Sequence, residues 1–388
     1  MKAIKDIKYY EMLNKLRKDL INNLNLSFTG SSPPEIFIGE FNYPNVYTGI
    51  LSPAVHNDSS SILSSPEEWF KARLTEKEIL LNRASLIYSR FTSNIKQSSR
   101  LLSTMQEVSM AKKPVDIDFE LKKKPSFAFK LDSFHKPIFN PAPLAKAVPE
   151  GNTQIEKRVD CMVSDYGMKA NDAVIDLYTN GISISNINRI LSAGLLGIKN
   201  KRKLVPTKWS ITCVDDIISK NLIEKIKQYP WINNYFVFNS EYLGNHYEIL
   251  LMPRQFGFEV IEAKYNPNPK LISFWQDSES HLGRKSYASS VTGAYYANRI
   301  AISSYLDSIR RQASILVLRE VKNYEIPCGV GILREATKYA MNKNPSSFNN
   351  ISSAFNDMKS RLSIPISMFL EKSILLREIS SQKTLQQF

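Results

Sequence analysis

The sequence has few of the residues that build disulfide frameworks and metal sites. Its 388 residues include three cysteines and four histidines. Cys161, Cys213 and Cys328 lie far apart and form no C-x-x-C pair, and the histidines show no ligand spacing. This pattern argues against a disulfide framework and against zinc, and it favours cysteines that are small buried core residues. Any metal site would have to rest on carboxylates.

Long apolar runs are also missing. No stretch reaches the length of a transmembrane helix, and residues 1–6 lack the apolar core of a signal peptide. The sequence therefore predicts a soluble, cytoplasmic protein with no membrane partner. A content of 43% hydrophobic and 11% aromatic residues nevertheless indicates a folded chain with a core. The length suits two or three domains, or one large intertwined unit.

Acidic residues are in deficit. There are 37 Asp and Glu against 51 Lys and Arg, which gives a formal net charge of +14 and a sequence pI of about 9.4. Such a balance favours polyanionic partners, whether DNA, RNA or an anionic membrane surface. The alternative is a lysine-rich surface that serves solubility alone.

Hydrophobic periodicity and turn residues predict an α+β fold, because strands and helices mix without regular alternation. We expect a mixed or antiparallel sheet with flanking helices, a helical C-terminal part and a flexible tail, and we expect residues 112–150 to form a loop-rich connection. Predicted strands cover residues 35–41, 46–51, 209–214, 235–241, 247–252, 258–265 and 315–321, the three from 235 to 265 as a meander. Predicted helices cover residues 1–28, 66 to about 89 in two pieces, 169–196 with a break at Gly181, 215–229, 289–311 and 334–341, followed by two more helical segments.

Residues 176–191 have the rhythm of a helix-turn-helix. A helix ends at Gly181, which can adopt positive φ, and a serine then caps a second helix. In a DNA-binding unit this second helix would present Asn186, Asn188 and Arg189 to the major groove. The alternative, an ordinary helical hairpin in the core, is favoured because such pairs are common.

The densest basic cluster is the segment 199–208. It contains Lys199, Lys201, Arg202, Lys203 and Lys208 without any acid, and Trp209 follows directly. Clusters of this kind bind backbone phosphates, and an exposed Trp can stack on a base. The alternative is a solvated turn with Trp209 in the core.

Asp215 and Asp216 are candidates for metal-assisted phosphodiester chemistry because they follow the predicted strand 209–214. Two divalent ions, Mg²⁺ or Mn²⁺, would need three or four converging carboxylates. The alternative for one of the pair is the N-cap of the next helix. Further acidic candidates are Glu241, Glu259, Glu262, Asp277 and Glu279.

Two later segments carry further candidates. Glu279, His281 and Arg284 lie within six residues, so they could bind phosphate or act as acid and base, or they could form a polar loop with a local salt bridge. Arg310 and Arg311 end the predicted helix 289–311. Together with Arg299 they could track phosphates along one helix face, or they could be a solvated face.

The chain ends in Gln382-Lys383-Thr384-Leu385-Gln386-Gln387-Phe388. This Q-x-x-L-x-x-F pattern resembles the PIP box, the peptide that binds the sliding clamp PCNA. In a 3₁₀ turn Leu385 and Phe388 lie on one side and form an apolar plug, and Gln382 offers an amide. The usual second aromatic residue is missing. The alternative is an accidental match in a polar tail.

Several segments together resemble the archaeal Nre family of DNA repair proteins. The resemblance spans nearly the whole chain. The matching segments include Tyr43-Pro44-Asn45-Val46, Ser65-Pro66-Glu67-Glu68-Trp69, Leu204-Val205-Pro206-Thr207-Lys208-Trp209, Gly293-Ala294-Tyr295-Tyr296-Ala297 and Arg310-Arg311-Gln312-Ala313.

This resemblance implies participation in DNA-damage repair and a C-terminal PCNA-binding tail. Some relatives carry an N-terminal cysteine cluster that suggests zinc, but this chain has no cysteine before Cys161, so zinc is not carried over. We expect an N-terminal Nre-type domain over residues 1–272, a C-terminal one over 273–375 and a tail over 376–388. The family implies no settled reaction. Two hypotheses therefore stand: a clamp-tethered DNA-binding module, and a metal-dependent nuclease recruited by the clamp.

Overall fold

The chain forms two compact units, and both combine a six-stranded sheet with helices. The computed structural model describes residues 9–324 and 326–381. Unit 1 contains the described parts of residues 1–218 and 325–332, and unit 2 those of residues 219–324 and 333–388. The predicted α+β class is confirmed. Across the described residues, no helix is both long and apolar enough to cross a membrane.

The sheet of unit 1 has the strand order β1-β5-β8-β4-β3-β2. All its neighbours are antiparallel except β4 and β8, which run parallel over three residue pairs. A separate two-stranded ribbon joins β6 and β7. The strands are β1 (Ser27–Ser32), β2 (Glu35–Ile38), β3 (Asn45–Ser52), β4 (Ile87–Asn94), β5 (Val115–Leu121), β6 (Phe129–Lys130), β7 (Ile138–Phe139) and β8 (Pro141–Pro149).

Among the described residues, seven α-helices belong wholly to unit 1. One of them, α4, packs its apolar face on the sheet through Leu102, Met105 and Val108. Local side chains stabilise the N-termini of two other helices. Ser65 and Thr75 are their N-caps, and both helices carry acidic residues in the first turn. The helices are α1 (Tyr10–Asn23), α2 (Pro66–Lys71), α3 (Glu76–Ala84), α4 (Arg100–Met110), α5 (Lys157–Ser164), α6 (Ala170–Thr179) and α7 (Ile184–Ser192).

The structure corrects three sequence predictions in this unit. The first helix ends at Asn23, and residues 27–32 are a strand rather than its last turn. The second piece of the helix predicted to reach Ser89 ends at Ala84, and Ser89 lies in β4. Residues 112–150 are not mainly loop, because β5 and β8 fall within them and pair with each other. Apolar and acidic residues alternate in β5, and this alternation is a strand signal in the sequence. The nearby prolines nevertheless favoured the prediction of a loop.

The prediction of a strand at residues 209–214 is wrong. Residues Thr207–Ile226 form one helix, α8, and the boundary between the compact units falls within it. The β-branched residues of this segment favour a strand locally. The buried residues Val214, Ile218, Leu222 and Ile226 recur every four positions, which is the helical period.

The sheet of unit 2 has the order β12-β11-β13-β10-β9-β14. The hairpin of β9 and β10 is confirmed, and Leu243 and Gly244 take positive φ in its turn. The predicted meander is wrong for its third strand, because β13 lies between β10 and β11 and runs parallel to β11. The strands are β9 (Tyr235–Tyr242), β10 (Asn245–Met252), β11 (Gly257–Lys264), β12 (Ser273–Glu279), β13 (Ser314–Val321) and β14 (Ser346–Phe348).

Helices cover both faces of this sheet, so all eight residues of β13 are buried. On one face Tyr295 packs edge-on against Phe258. On the other, Met358, Phe369 and Leu375 join the core. The helices after α8 are α9 (Gly293–Ser308), α10 (Val330–Met341), α11 (Ile351–Lys359), α12 (Ile366–Leu370) and α13 (Ile374–Ser381).

Candidate nucleic-acid interface

The acidic pair Asp215-Asp216 does not end a strand. Both residues lie in the middle of α8, where Asp215 is fully buried and Asp216 is half-buried. The cap alternative is also wrong, because the helix begins eight residues earlier, at Thr207. Neither carboxylate is therefore placed by the end of a strand.

The other acidic candidates on the sheet of unit 2 are mostly paired with arginines. Glu279 accepts two hydrogen bonds from the buried Arg299, at 3.0 and 3.1 Å. Asp277 lies 2.9 Å from Arg284, and Glu262 pairs with Arg319. Over residues 9–324 and 326–381, no three His, Cys, Asp or Glu side chains form a group that could hold a metal ion.

Glu259 has a different task. Its buried carboxylate accepts the backbone N–H groups of Ile374 and Leu375 and the hydroxyl of Ser373, so it caps α13 from β11. Gln276 donates a fourth hydrogen bond to it, at 2.6 Å. Burial raises the pKa of Glu259. This carboxylate fixes the helix that directly precedes the C-terminal tail.

The segment with Glu279, His281 and Arg284 does not act as a unit. Glu279 forms an ion pair with Arg299, whereas Arg284 donates hydrogen bonds to the carbonyls of Ser278 and Tyr287. His281 lies at the tip of the turn after β12, and its Nδ1 is buried without a hydrogen-bond partner among the described residues. For Arg284 the structure agrees with the second alternative from the sequence, a polar loop with a local salt bridge.

The helix-turn-helix segment is a helical hairpin inside unit 1. Its helices α6 and α7 contact each other, and α7 also contacts α4. Asn186 is buried, and Arg189 donates to Asn186 and to the carbonyl of Ala111. Burial lowers the pKa of the Arg189 guanidinium. This placement favours the core hairpin, and a contact of Arg189 with nucleic acid stays an untested prediction.

The basic segment 199–208 divides into inward and outward residues. Arg202 donates to the carbonyls of Gly197, Val163 and Asp165 at 2.7–2.8 Å, and its guanidinium lies 4.6 Å from the ring of Tyr166. It therefore ties the loop together.

Lys208 is also engaged, lying 3.8 Å from both Glu40 and Asp132. Lys199, Lys201 and Lys203 remain exposed. The outward charge of this segment is thus smaller than its sequence suggests.

A backbone contact brings a further lysine to the exposed ones. The N–H of Leu204 donates to the carbonyl of Ile95 at 2.9 Å, so Lys203 lies beside the exposed Lys96. The N–H of Ile95 donates in turn to the carbonyl of Pro44 at 3.0 Å. Three distant segments therefore meet, and no motif in the sequence around Lys96 indicates that it belongs with them.

Two exposed aromatic side chains belong to the segments that meet here, Tyr43 directly before Pro44 and Trp209 directly after Lys208. The ring of Trp209 is 5.3 Å from that of Tyr43, and these side chains are 45% and 39% exposed. Thr207, two residues before Trp209, accepts the N–H of Ile38 and so fixes the start of α8 to the end of β2. The alternative prediction, in which Trp209 is buried in the core, is wrong. The predicted strand around Trp209 is wrong as well.

We call Tyr43, Lys96, Lys201, Lys203 and Trp209 the basic–aromatic surface. It combines three positive charges with two exposed rings. Rings on which bases stack and lysines that follow the phosphates are the elements of single-stranded nucleic-acid sites. Nearby, Phe41 is 77% exposed, and the acid Glu40 lies within 4.0 Å of two lysines.

The predicted phosphate-tracking face of α9 is wrong for Arg299, which is buried and bound to Glu279 and to Ser219. Arg310 and Arg311 are exposed just after this helix. They lie directly before Gln312, which holds several loops of unit 2 together.

Two further sequence predictions concern the C-terminal tail and the cysteines. Gln382, Leu385 and Phe388 lie outside the described residues. Of the cysteines, Cys328 is buried as expected, whereas Cys161 and Cys213 are exposed, and none is in a disulfide.

Residues 6–269 match the family model described as Archaeal Nre, N-terminal, and residues 279–388 match the one described as Archaeal Nre, C-terminal. No solved structure matches the chain.

Curated relatives match over most of their length. The DNA repair protein NreB of Archaeoglobus fulgidus is 33% identical over 92% of this chain and 91% of its own. The DNA repair protein NreA of Haloferax volcanii is 32% identical over 90% and 86%, and NreA of Archaeoglobus fulgidus is 33% identical over 85% and 84%. The chain therefore belongs to the archaeal Nre family of DNA repair proteins.

Proposed function

We propose that this protein is a DNA-repair factor that binds DNA through the basic–aromatic surface and is tethered to the sliding clamp PCNA by its C-terminal tail. The observation that carries the DNA contact is the meeting of three chain segments, which bring the exposed rings of Tyr43 and Trp209 together with lysines of two of these segments. The repair role follows from the names of the family relatives.

The surface fits a single strand or an unpaired end better than an intact duplex. Ring faces can stack only on bases that are not already stacked on both sides, and the pair Tyr43 and Trp209 presents such faces. Lysines bind phosphates of any sequence, so we expect little sequence preference. The paired carboxylates of unit 2 favour this binding hypothesis over a nuclease.

The DNA contact is tested with the double variant Lys96→Glu/Lys203→Glu and a fluorescent oligothymidylate. We expect weaker binding, and the slope of log affinity against log salt should fall by about 0.7 for each phosphate that the variant no longer neutralises. Lys113→Glu/Lys146→Glu is the matched control, because it changes two exposed lysines of the same unit and the same net charge. Equal effects of both pairs would show that only net charge matters.

The clamp tether rests on the sequence pattern of the tail. Leu385→Ala/Phe388→Ala should abolish binding to PCNA in calorimetry, because each apolar anchor contributes about 1.5–3 kcal/mol by burial. Thr384→Ala is the matched control, since it lies between the motif positions, and it should bind as the wild type does. Undiminished binding by a chain that lacks residues 382–388 would contradict the tether.

A further inference from the structure

Unit 2 contains a cleft of ≈ 410 Å³ that the basic–aromatic surface does not include. Its walls are the turn before β11, the tip of the turn after β12, the start of β13 and the helix α13. This volume lies within the range of small-molecule and cofactor sites. Trp231 lies at its edge with 56% of its surface exposed, and Phe256 contributes a buried apolar wall.

One side chain holds much of this cleft in shape. Gln312 accepts the N–H of Phe256 through its Oε1 at 2.7 Å. Its Nε2 donates to the carbonyls of Lys227 and Tyr229, and its own carbonyl accepts the N–H of Ile232 at 3.0 Å. The segments on either side of Trp231 are therefore fixed to the start of β13. A ligand that enters the cleft would meet walls that are already in place.

The lining combines one large ring with polar and cationic groups. Arg254, Gln255, Ser280 and His281 face the same space as Trp231. A ring face suits a base, amide and hydroxyl groups suit the hydrogen-bonding edge of a base, and a guanidinium suits a phosphate.

The surroundings add further positive charge. Arg310 and Arg311 are exposed directly before Gln312, and Glu378 on α13 is the one carboxylate among the described lining residues. Within the described lining Arg254 offsets Glu378, and Arg310 and Arg311 add positive charge in the segment that leads into β13, which favours an anionic ligand over an apolar peptide.

We infer that this cleft binds one unpaired nucleotide of a DNA strand, with its base on Trp231 and its phosphate near Arg254. The inference rests on the proposed DNA-binding function and deepens it, because it names the part of the DNA that unit 2 recognises. A base within a duplex is stacked on both sides, so it must leave the stack to enter such a cleft. The protein would therefore prefer DNA with an extruded or unpaired nucleotide.

The first test uses the full chain and two duplexes that differ only in one unpaired 2-aminopurine. We expect tighter binding to the duplex with the unpaired base. In Trp231→Ala this preference should fall by about 5- to 150-fold, as removal of one base–ring stack predicts. Trp275→Ala is the matched control, because Trp275 is an exposed tryptophan of the same unit that does not line the cleft. Equal preference in wild type and Trp231→Ala would overturn the inference.

The second test separates the cleft from the basic–aromatic surface. Thymidine monophosphate is titrated into the protein, and quenching of tryptophan fluorescence is followed. We expect saturable quenching in wild type, Trp275→Ala and Lys96→Glu/Lys203→Glu, and its loss in Arg254→Glu, which keeps Trp231 as the reporter. If thymidine monophosphate quenches the fluorescence but the wild type binds no DNA, the proposed function is refuted, and the nucleotide site in the cleft is still supported. DNA binding without quenching, or displacement of the nucleotide only by an apolar peptide, would refute the cleft.

Discussion

Two neighbouring residues of the segment 199–208 have opposite environments, although the sequence gives both a positive charge. Arg202 donates to three backbone carbonyls, whereas Lys203 is exposed beside Lys96. Side chains that satisfy backbone acceptors contribute to folding, and exposed lysines contribute to binding of anions.

We therefore expect Arg202→Ala to lower the free energy of unfolding by about 2–4 kcal/mol, because three carbonyls lose a charged donor. Lys203→Ala should change it by less than about 0.5 kcal/mol but should weaken DNA binding. Urea denaturation and fluorescence anisotropy measure the two effects. A variant Arg202→Ala of wild-type stability would show that these hydrogen bonds contribute little.

His135 makes the stability of unit 1 sensitive to acid. Its ring is buried against Phe37, its Nδ1 contacts the carbonyl of Lys136, and its Nε2 is buried without a hydrogen-bond partner among the described residues. Burial lowers the pKa of His135 to about 4. As the pH falls, the unfolded chain takes up this proton first, near the ordinary pKa of about 6.5.

The stabilising effect of neutral His135 is thus complete above about pH 6.5 and is lost as the pH falls towards 4. The difference between the two pKa values corresponds to about 3 kcal/mol. His135→Gln should flatten the dependence of unfolding free energy on pH in this window, whereas His56→Gln, at an exposed position, should leave it steep. Equal slopes in urea denaturation of both variants would contradict the assignment.

At the scale of elements, the C-terminal ends of the two hairpin helices distinguish two kinds of glycine. Gly181 after α6 has φ of +82° and no atom within 4 Å of an added Cβ, whereas Gly194 after α7 has φ of +73° and the Lys203 carbonyl at 2.6 Å. Gly181→Ala should cost about 1–2 kcal/mol from the backbone conformation alone. Gly194→Ala should cost more, and only Gly194→Ala should also weaken DNA binding, because it displaces the segment with Lys203. Thermal unfolding and anisotropy of the two variants test this difference.

The helix α13 depends on a single carboxylate of β11. Glu259→Ala removes the acceptor of two backbone N–H groups and of Ser373, and we expect a decrease of about 2 kcal/mol in unfolding free energy. Hydrogen exchange of the α13 amides should rise at the same time, because the helix loses its cap. Thr75→Ala, which removes the exposed cap of α3, is the comparison and should leave exchange in α13 unchanged. Unchanged exchange in Glu259→Ala would show that packing alone holds α13.

At the scale of the molecule, the sheet of unit 2 combines strands from both sides of residue 272. Its central strand β13 lies between β10 and β11, so a fragment of residues 1–272 would leave β10 and β11 without their common neighbour. We expect β9, β10 and β11 to lose protection from hydrogen exchange in this fragment, whereas the sheet of unit 1 keeps it. Full protection of β10 in the fragment would contradict this dependence.

Much of the local structure could be predicted from the sequence. The β2–β3 pair, the Ser65 cap, the break at Gly181 and the hairpin of β9 and β10 each depend on residues that are close together in the chain. Capping and turn chemistry act over three or four residues, so such elements are readable without the fold. The helix α8 was not predicted because its β-branched residues favour a strand locally. Only the buried positions along its whole length show the helical period.

The sequence by itself determined the composition that favours a polyanionic partner, the family, and the tail pattern at Gln382, Leu385 and Phe388. Only the tertiary structure decided which charges are outward, that Arg202 and Arg299 serve the fold, and that Lys96, Lys203, Tyr43 and Trp209 share one surface. The reason is physical: a charge or a ring has the same identity wherever it lies, but its role follows from its neighbours. Those neighbours come from strands and loops that only long-range packing brings together.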